Sequence, residues 1–130
     1  MQIAENIQGL NHLGLPTPDL EKTIAFYEAL GFAVAWRTQP GAKEGKVAFL
    51  RHGGVVLEAY ESESAACRPG AWDHVCLGVE DVEAAFAEAK ALGLEIMDRE
   101  IRFLPFWDRG VRFFNVLGPG GETVEFLQML

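Results

Sequence analysis

The feature that most constrains the fold is an internal repeat. When the sequence is shifted by 62 positions (74 − 12), His12 aligns with His74 and Gly31 with Gly93, without a gap over about twenty residues. Asp19 and Asp81 align in the same shift. A repeat of this kind predicts that one supersecondary unit occurs twice in the chain.

Each copy of the repeat contains an apolar stripe with the spacing of a helix. Apolar residues three or four positions apart form one face of a helix. The stripes are Leu20, Ile24, Tyr27 and Leu30 in the first copy, and Val82, Phe86, Ala89 and Leu92 in the second. Gly31 and Gly93 follow where a left-handed residue would end each helix. Thr17 and Pro18 are expected to supply the cap and the first-turn proline of the first helix.

Strand-like segments surround each predicted helix. One precedes the helix and three follow it, separated by turn sequences such as "GAKEG", "HGG", "DRG" and "GPGG". The predicted fold class is therefore α+β, with two βαβββ modules in tandem. We expect a single domain over residues 1–130, with module 1 at about 7–60, a polar connector at 61–70 and module 2 at about 71–130.

Composition excludes several functions. The net charge of −8 argues against nucleic acid or an anionic membrane as a partner. Cys67 and Cys76 are too few for a disulfide scaffold, and their spacing fits no zinc-binding pair. Cys76 lies in an apolar run and is expected to be a small buried hydrophobe. With no basic leader and no apolar run of membrane-spanning length, we expect a cytoplasmic protein.

The chemistry depends on one histidine and one glutamate in each copy. His12 and His74 lie in the first predicted strand of each module, and Glu58 and Glu125 end the matching segments "GGVVLE" and "GGETVE". Side chains two apart in a strand share a face, and these faces are mostly apolar, so the four groups should point inward. A buried carboxylate without a partner is costly. Binding one divalent cation would remove that cost. A single histidine is more often structural and a single glutamate more often solvated, but the repetition favours ligands. His52 has no such counterpart and is expected to be exposed in a turn.

The chain resembles the vicinal oxygen chelate superfamily, also called the glyoxalase/bleomycin resistance/dioxygenase family. The motifs are "NHLGLPTPDLEKTIAFYEALGF", "VVLEAYE", "DHVCLGVEDVEAAFAEAKALG" and "GPGGETVEF". The resemblance implies an open barrel-like mixed sheet around a metal, with His12, Glu58, His74 and Glu125 as metal ligands. It implies one divalent ion (Ni, Zn, Co, Mn or Fe), since all suit such ligands. The order of ligands looks like glyoxalase I, a lactoylglutathione lyase.

The reaction implied by the resemblance is a proton shift in a small α-oxo or hemithioacetal substrate through an enediolate, with Glu58 or Glu125 as the base. The alternatives are another metalloenzyme of this family, such as an acyl-CoA epimerase or a thiol transferase, and a non-catalytic protein that sequesters a ligand. Glu58 discriminates best, because epimerases more often have Gln there. Pro16 and Ser62 stand where glyoxalase I enzymes usually carry Arg and Asn, which puts glutathione in doubt.

The resemblance also implies a homodimer, in which the ligands come from one chain or from two. Four arginines are candidates for holding an anionic substrate, with solvent-facing charge as the alternative for each. They are Arg37, Arg102, Arg109 and Arg112. The apolar stretch at residues 103–114 is expected to line the pocket or to pack against the core or a partner.

Overall fold

The computed structural model describes residues 2–130, which form one short helix and then two units. The first is βαβββ; the second has four strands after its helix, because two short strands both pair with the same long strand. The elements are α1 (Ile3–Asn6), β1 (Leu13–Thr17), α2 (Leu20–Ala29), β2 (Ala33–Arg37), β3 (Val47–His52), β4 (Val55–Glu61), β5 (Val75–Gly78), α3 (Val82–Ala91), β6 (Glu95–Ile96), β7 (Arg102–Leu104), β8 (Val111–Leu117) and β9 (Thr123–Met129). Among residues 2–130, no helix is long and apolar enough to cross a membrane.

Each module forms its own sheet. In module 1 the strand order is β1-β4-β3-β2, with β1 parallel to β4 and the other pairs antiparallel. In module 2 the order is β5-β9-β8-β6, with β5 parallel to β9. Strand β6 pairs with the end of β8, and β7 pairs with its beginning. The α+β class and the tandem modules are confirmed. The two sheets stay separate within residues 2–130, so this part of the chain closes no barrel.

The two long helices begin and end at matching positions of the repeat. Helix α2 buries Leu20, Thr23, Ile24 and Tyr27, and helix α3 buries Val82 and Ala89. Gly31 and Gly93 follow the helices with φ of +92° and +70°, as expected for left-handed residues.

The predicted cap of α2 was wrong. Asp19 is the N-cap and accepts a hydrogen bond from the Lys22 amide, while the Thr17 hydroxyl bonds to the Thr23 hydroxyl inside the core. Asp81 caps α3 in the same way. A carboxylate at this position satisfies free amides and also interacts favourably with the helix dipole.

The two modules meet through a shared core and a hydrogen bond. Buried residues of both modules belong to one hydrophobic cluster, which includes Leu50 and Phe114. The hydroxyl of Tyr27 on α2 donates to a carboxylate oxygen of Glu122, before β9, at 2.8 Å. The Tyr27 end of this bond is buried and the Glu122 end is partly exposed, so the bond ties module 1 to module 2 at the border of the core.

Candidate metal centre

The first pair of predicted ligands meets on the sheet of module 1. His12 immediately precedes β1, and Glu58 lies in the middle of β4, which pairs with β1 in parallel. The Nε2 atom of His12 lies 3.6 Å from a carboxylate oxygen of Glu58. The two side chains are 35% and 31% exposed, so the expectation that they are buried is wrong for a single chain.

The second pair repeats this geometry on the sheet of module 2. His74 immediately precedes β5, and Glu125 lies in β9, the parallel neighbour of β5. The Nε2 atom of His74 lies 3.6 Å from a Glu125 oxygen, the same distance as in module 1. The His74 side chain is 39% exposed and that of Glu125 is 14% exposed. The repeat in the sequence is therefore a repeat of side-chain geometry.

Both imidazoles are held by the residue that precedes them. The Nδ1 atom of His12 lies 2.7 Å from the Asn11 side-chain oxygen, and that of His74 lies 2.8 Å from an Asp73 carboxylate oxygen. A proton on Nδ1 leaves the lone pair of Nε2 facing a carboxylate. With Nε2 unprotonated, two electron-rich atoms face each other at 3.6 Å, and a bound metal ion would stabilise this contact, as would a proton on Nε2. This is the arrangement in which metal-binding histidines are oriented by an outer acceptor, so the residues fit a divalent metal.

The described chain does not bring the two pairs together. Across residues 2–130, no three His, Cys, Asp or Glu side chains are grouped so that they could hold a metal ion. The pairs belong to different sheets, with His12 and Glu58 on one and His74 and Glu125 on the other. Each pair is thus one half of the predicted ligand set.

The surroundings of the two pairs differ in character. In module 1, Glu58 lies opposite Phe49, whose ring is 5.5 Å from that of His12 and 6.2 Å from that of Trp36. In module 2, the position beside Glu125 on β8 is taken by Asn115. Residues opposite one another in neighbouring strands point to the same face. The neighbour opposite the glutamate is therefore aromatic in module 1 and polar in module 2.

The faces of the sheets separate three of the four candidate arginines, and the fourth, Arg109, is exposed in the loop between β7 and β8. Arg37 and Arg112 pair with Glu21 on α2 and Glu83 on α3, at 2.7 and 2.8 Å. These two arginines therefore lie on the helix sides of their sheets. Arg102 lines a cavity of about 630 Å³ together with His74 and Glu125.

The apolar stretch 103–114 was expected either to line the pocket or to pack against the core or a partner. Phe106 lines the cavity that contains His74 and Glu125. Trp107, in the same stretch, is 80% exposed in the single chain.

A comparison of the sequence with protein-family models identifies the family. Residues 9–126 match the model of the glyoxalase/bleomycin resistance protein/dioxygenase superfamily. The matched segment contains both His–Glu pairs and nearly the whole described fold. The chain belongs to this superfamily. The resemblance inferred from the four motifs is thereby confirmed, although a family that hosts several reactions does not define the activity of one member.

Relatives within the superfamily have diverse properties. The chain is 30% identical to the uncharacterized protein YwbC of Bacillus subtilis, over 92% of this chain and 96% of YwbC. It is 27% identical to the human mitochondrial methylmalonyl-CoA epimerase, over 95% of this chain and 75% of the epimerase. The structure of the fosfomycin resistance protein FosX from Listeria monocytogenes, complexed with Mn(II) and sulfate, superposes with a TM-score of 0.73 at 22% identity, covering 95% of this chain and 94% of FosX.

The expectation that Cys76 is a small buried hydrophobe is wrong. Cys76 is exposed as a residue instead of buried in the core, and it lies opposite Glu125 across β5 and β9. Partial burial of its thiol, followed by a hydrogen bond to the Glu125 carboxylate and the charge of that group, raises the pKa of Cys76 to about 12. A protonated thiol beside Glu125 acts as a donor to the carboxylate. The corresponding position in module 1 is Gly14, opposite Glu58.

Asn11 and Asp73 are the residues that sequence reasoning missed. A signal was present, because they precede the two histidines and are themselves 62 positions apart (73 − 11). His52 is exposed, as predicted, and its ring lies 5.4 Å from that of Phe32.

His52 lines a second cavity of about 460 Å³ between the modules. None of the four predicted ligands lines that cavity, so it is not the candidate metal centre.

Proposed function

We propose that this protein is a divalent-metal-dependent lyase or isomerase of the glyoxalase I type, acting on a small α-oxo or hemithioacetal substrate. The observation that carries the proposal is the repeated His–Glu pair with its outer acceptor. In each module Nδ1 is engaged by a neighbouring oxygen, and Nε2 faces a carboxylate at 3.6 Å. Two such pairs together supply two imidazoles and two carboxylates, a set that suits Ni²⁺, Zn²⁺, Co²⁺, Mn²⁺ or Fe²⁺.

The complete centre belongs to a homodimer in this proposal. His12 and Glu58 of one subunit join His74 and Glu125 of the partner subunit, because one chain holds the two pairs on separate sheets. In a two-fold dimer the same junction occurs twice. Large apolar side chains exposed in the single chain support a protein partner, since a soluble protein rarely leaves many of them open. They include Trp36, Trp72, Phe106 and Trp107.

The chain's own residues bind the substrate and move its proton. When bound, the metal would supply Lewis-acid polarisation of a carbonyl oxygen. Asn11 and Asp73 hold the two imidazoles so that Nε2 stays available. Glu58 or Glu125 acts as the general base, since these are the carboxylates beside the site, and it takes a proton from one carbon and returns it to the next. The Phe49 and Trp36 rings exclude water on one side.

The decisive experiment mixes two inactive variants, His12→Ala and His74→Ala. Each variant alone has only three of the four ligands at every centre. In a mixed dimer one centre combines both defects, and the other keeps all four native ligands. Unfolding and refolding the mixture should therefore restore about a quarter of the wild-type metal sites, counted by elemental analysis, with activity in proportion. If the four ligands came from one chain, mixing would restore nothing.

Epimerisation of an acyl-CoA thioester is the second candidate. The match to the human methylmalonyl-CoA epimerase, over 95% of this chain, favours it. Assays of the metal-loaded protein separate the two reactions. Methylglyoxal with glutathione and with other thiols tests the lyase, and solvent deuterium exchange into methylmalonyl-CoA tests the epimerase. A protein that binds no transition metal would instead fit the non-catalytic, ligand-sequestering alternative.

A further inference from the structure

The cavity of about 630 Å³ beside His74 and Glu125, called here the module 2 cavity, has few charged groups, and they determine which substrates it can bind. Four ionisable side chains line it: Asp73, His74, Arg102 and Glu125. Arg102 is the only lysine or arginine among the described residues that line it. In a chain with a net charge of −8, this single guanidinium is the local feature that can attract an anion.

Strand register places Arg102 on the same face as the His74–Glu125 pair. Glu125 lies opposite Asn115, Phe113 is two residues from Asn115 along β8, and Arg102 lies opposite Phe113. Side chains two apart share a face, and so do side chains directly opposite. Arg102 is two strands away from Glu125 across the sheet and two residues away along it. The Cα atoms of the two residues are therefore separated by roughly 12 Å.

Contacts with two neighbours hold the guanidinium in place but leave its donors available. Its central carbon lies 5.3 Å from the centre of the Phe113 ring, a cation–π contact. It forms an ion pair with Asp98, at 3.6 Å between Nη1 and the nearest carboxylate oxygen, but this distance is beyond that of a hydrogen bond. The other Asp98 oxygen accepts from both the backbone and the side-chain nitrogen of Asn115, at 2.7 and 3.1 Å. Asp98 is thus fixed by Asn115, and Arg102 keeps its N–H groups for another acceptor.

The surface between the two ends is apolar. Phe113 and Leu127 lie opposite each other on β8 and β9, and both line the cavity with Met97 and Phe106. A ligand spanning from the His74–Glu125 pair to Arg102 would cross this surface. The three zones therefore follow one another as metal-binding pair, apolar floor and cation.

We propose that the substrate of this site carries an anionic group, such as a carboxylate, which Arg102 binds at the far end of an apolar segment from the metal-binding oxygens. Arg102 thereby sets substrate specificity. This inference rests on the proposed metal-dependent function. A planar guanidinium with free donors binds carboxylate through two parallel hydrogen bonds, which gives both affinity and orientation.

Paired chelators test the proposal by binding, without turnover. Hydroxamates present two neighbouring oxygens to a metal, so adipic monohydroxamate and hexanohydroxamate differ chiefly in the distal carboxylate. Calorimetric titration of the Ni²⁺-loaded protein should show adipic monohydroxamate binding about tenfold more tightly. The preference should fall as ionic strength rises, because the guanidinium is partly exposed.

Two variants locate the effect. Arg102→Gln should remove the preference while leaving the affinity for hexanohydroxamate unchanged. Arg112→Gln is the matched control: it lies on the helix side of the same sheet, paired with Glu83, and should keep the preference. Equal affinities of the wild type for the two chelators would overturn the inference, and so would a preference that survives in Arg102→Gln. In either case Ni²⁺ and hexanohydroxamate still bind, so the proposed function would stand. A protein that takes up no metal would refute both.

Discussion

Replacing Tyr27 with Phe tests the contact that joins the two modules. The substitution removes one hydroxyl and keeps the buried ring, which packs against Phe26 and Phe32. What is lost is the 2.8 Å hydrogen bond to Glu122. The other Glu122 oxygen still accepts from the Gly120 amide, so the carboxylate is not left wholly unpaired.

The expected cost follows from the nature of this bond. Hydrogen bonds to charged groups contribute about 1.5–3 kcal/mol, and the partial exposure of Glu122 favours the lower part of that range. With an unfolding entropy of about 2.1 cal/mol/K per residue, 1.5–2 kcal/mol lowers the Tm of a chain this long by about 5–7 °C. Tyr60→Phe is the control, because Tyr60 is exposed and should lose little. Both must be compared at one protein concentration, since the proposed dimerisation would contribute to the stability.

The pH dependence of the same variant gives a second, independent readout. Burial, and then the neighbouring Glu122 charge, raise the pKa of Tyr27 well above its ordinary value near 10. The folded protein therefore keeps its proton where the unfolded chain loses it. The stabilisation is complete below about pH 10 and is lost above it, at about 1.4 kcal/mol per pH unit.

Tyr27→Phe has no hydroxyl to ionise at this position. The difference in unfolding free energy between the wild type and the variant, measured in urea, should therefore shrink above about pH 10. An advantage that stays constant between about pH 9 and pH 11 would refute the reasoning, as would a variant as stable as Tyr60→Phe.

Three further outcomes are expected. In urea unfolding, Asp81→Ala should cost about 1 kcal/mol and Asp19→Ala no more, because Asp81 caps two amides and Asp19 one. Gly121 has a φ of +79°, and a β-carbon there would overlap the Cys67 backbone, so Gly121→Ala should lower the free energy of unfolding by more than about 2 kcal/mol. Gly53 also has a positive φ but has open space around it, so Gly53→Ala should cost about 1 kcal/mol. Equal losses in the two variants would contradict the overlap. Adding Ni²⁺ at about a thousand times its Kd should stabilise the protein by about 4 kcal/mol, and a chelator should reverse this; an unchanged Tm would argue against a site in the folded state.

Local order in this protein was predictable because short-range rules determine it. The apolar stripe in each copy predicted α2 and α3, and Gly31 and Gly93 ended them with the expected positive φ. The repeat also indicated one histidine and one glutamate in the first and last strands of each module, but not that the two would lie side by side within a module. The structure brings them together, because β1 and β5 each lie in parallel beside the last strand of their module.

The cap of α2 shows where local reasoning was insufficient. Thr17 is an acceptable cap, yet its hydroxyl bonds to Thr23 in the core, and Asp19 takes the helix end. Competition between partners for one hydroxyl depends on what the fold brings near it, which neighbours in the sequence do not reveal.

The amino-acid sequence by itself determined the duplicated βαβββ pattern and the identity of the paired side chains, since periodicity and repetition are properties of the chain. Only the tertiary structure decided which groups share a surface. It separated the His12–Glu58 and His74–Glu125 pairs onto two sheets, and it assigned Arg112 to the helix side and Arg102 to the cavity. The physical reason is that strand register and module packing set these distances, and both arise from contacts between residues far apart in the chain.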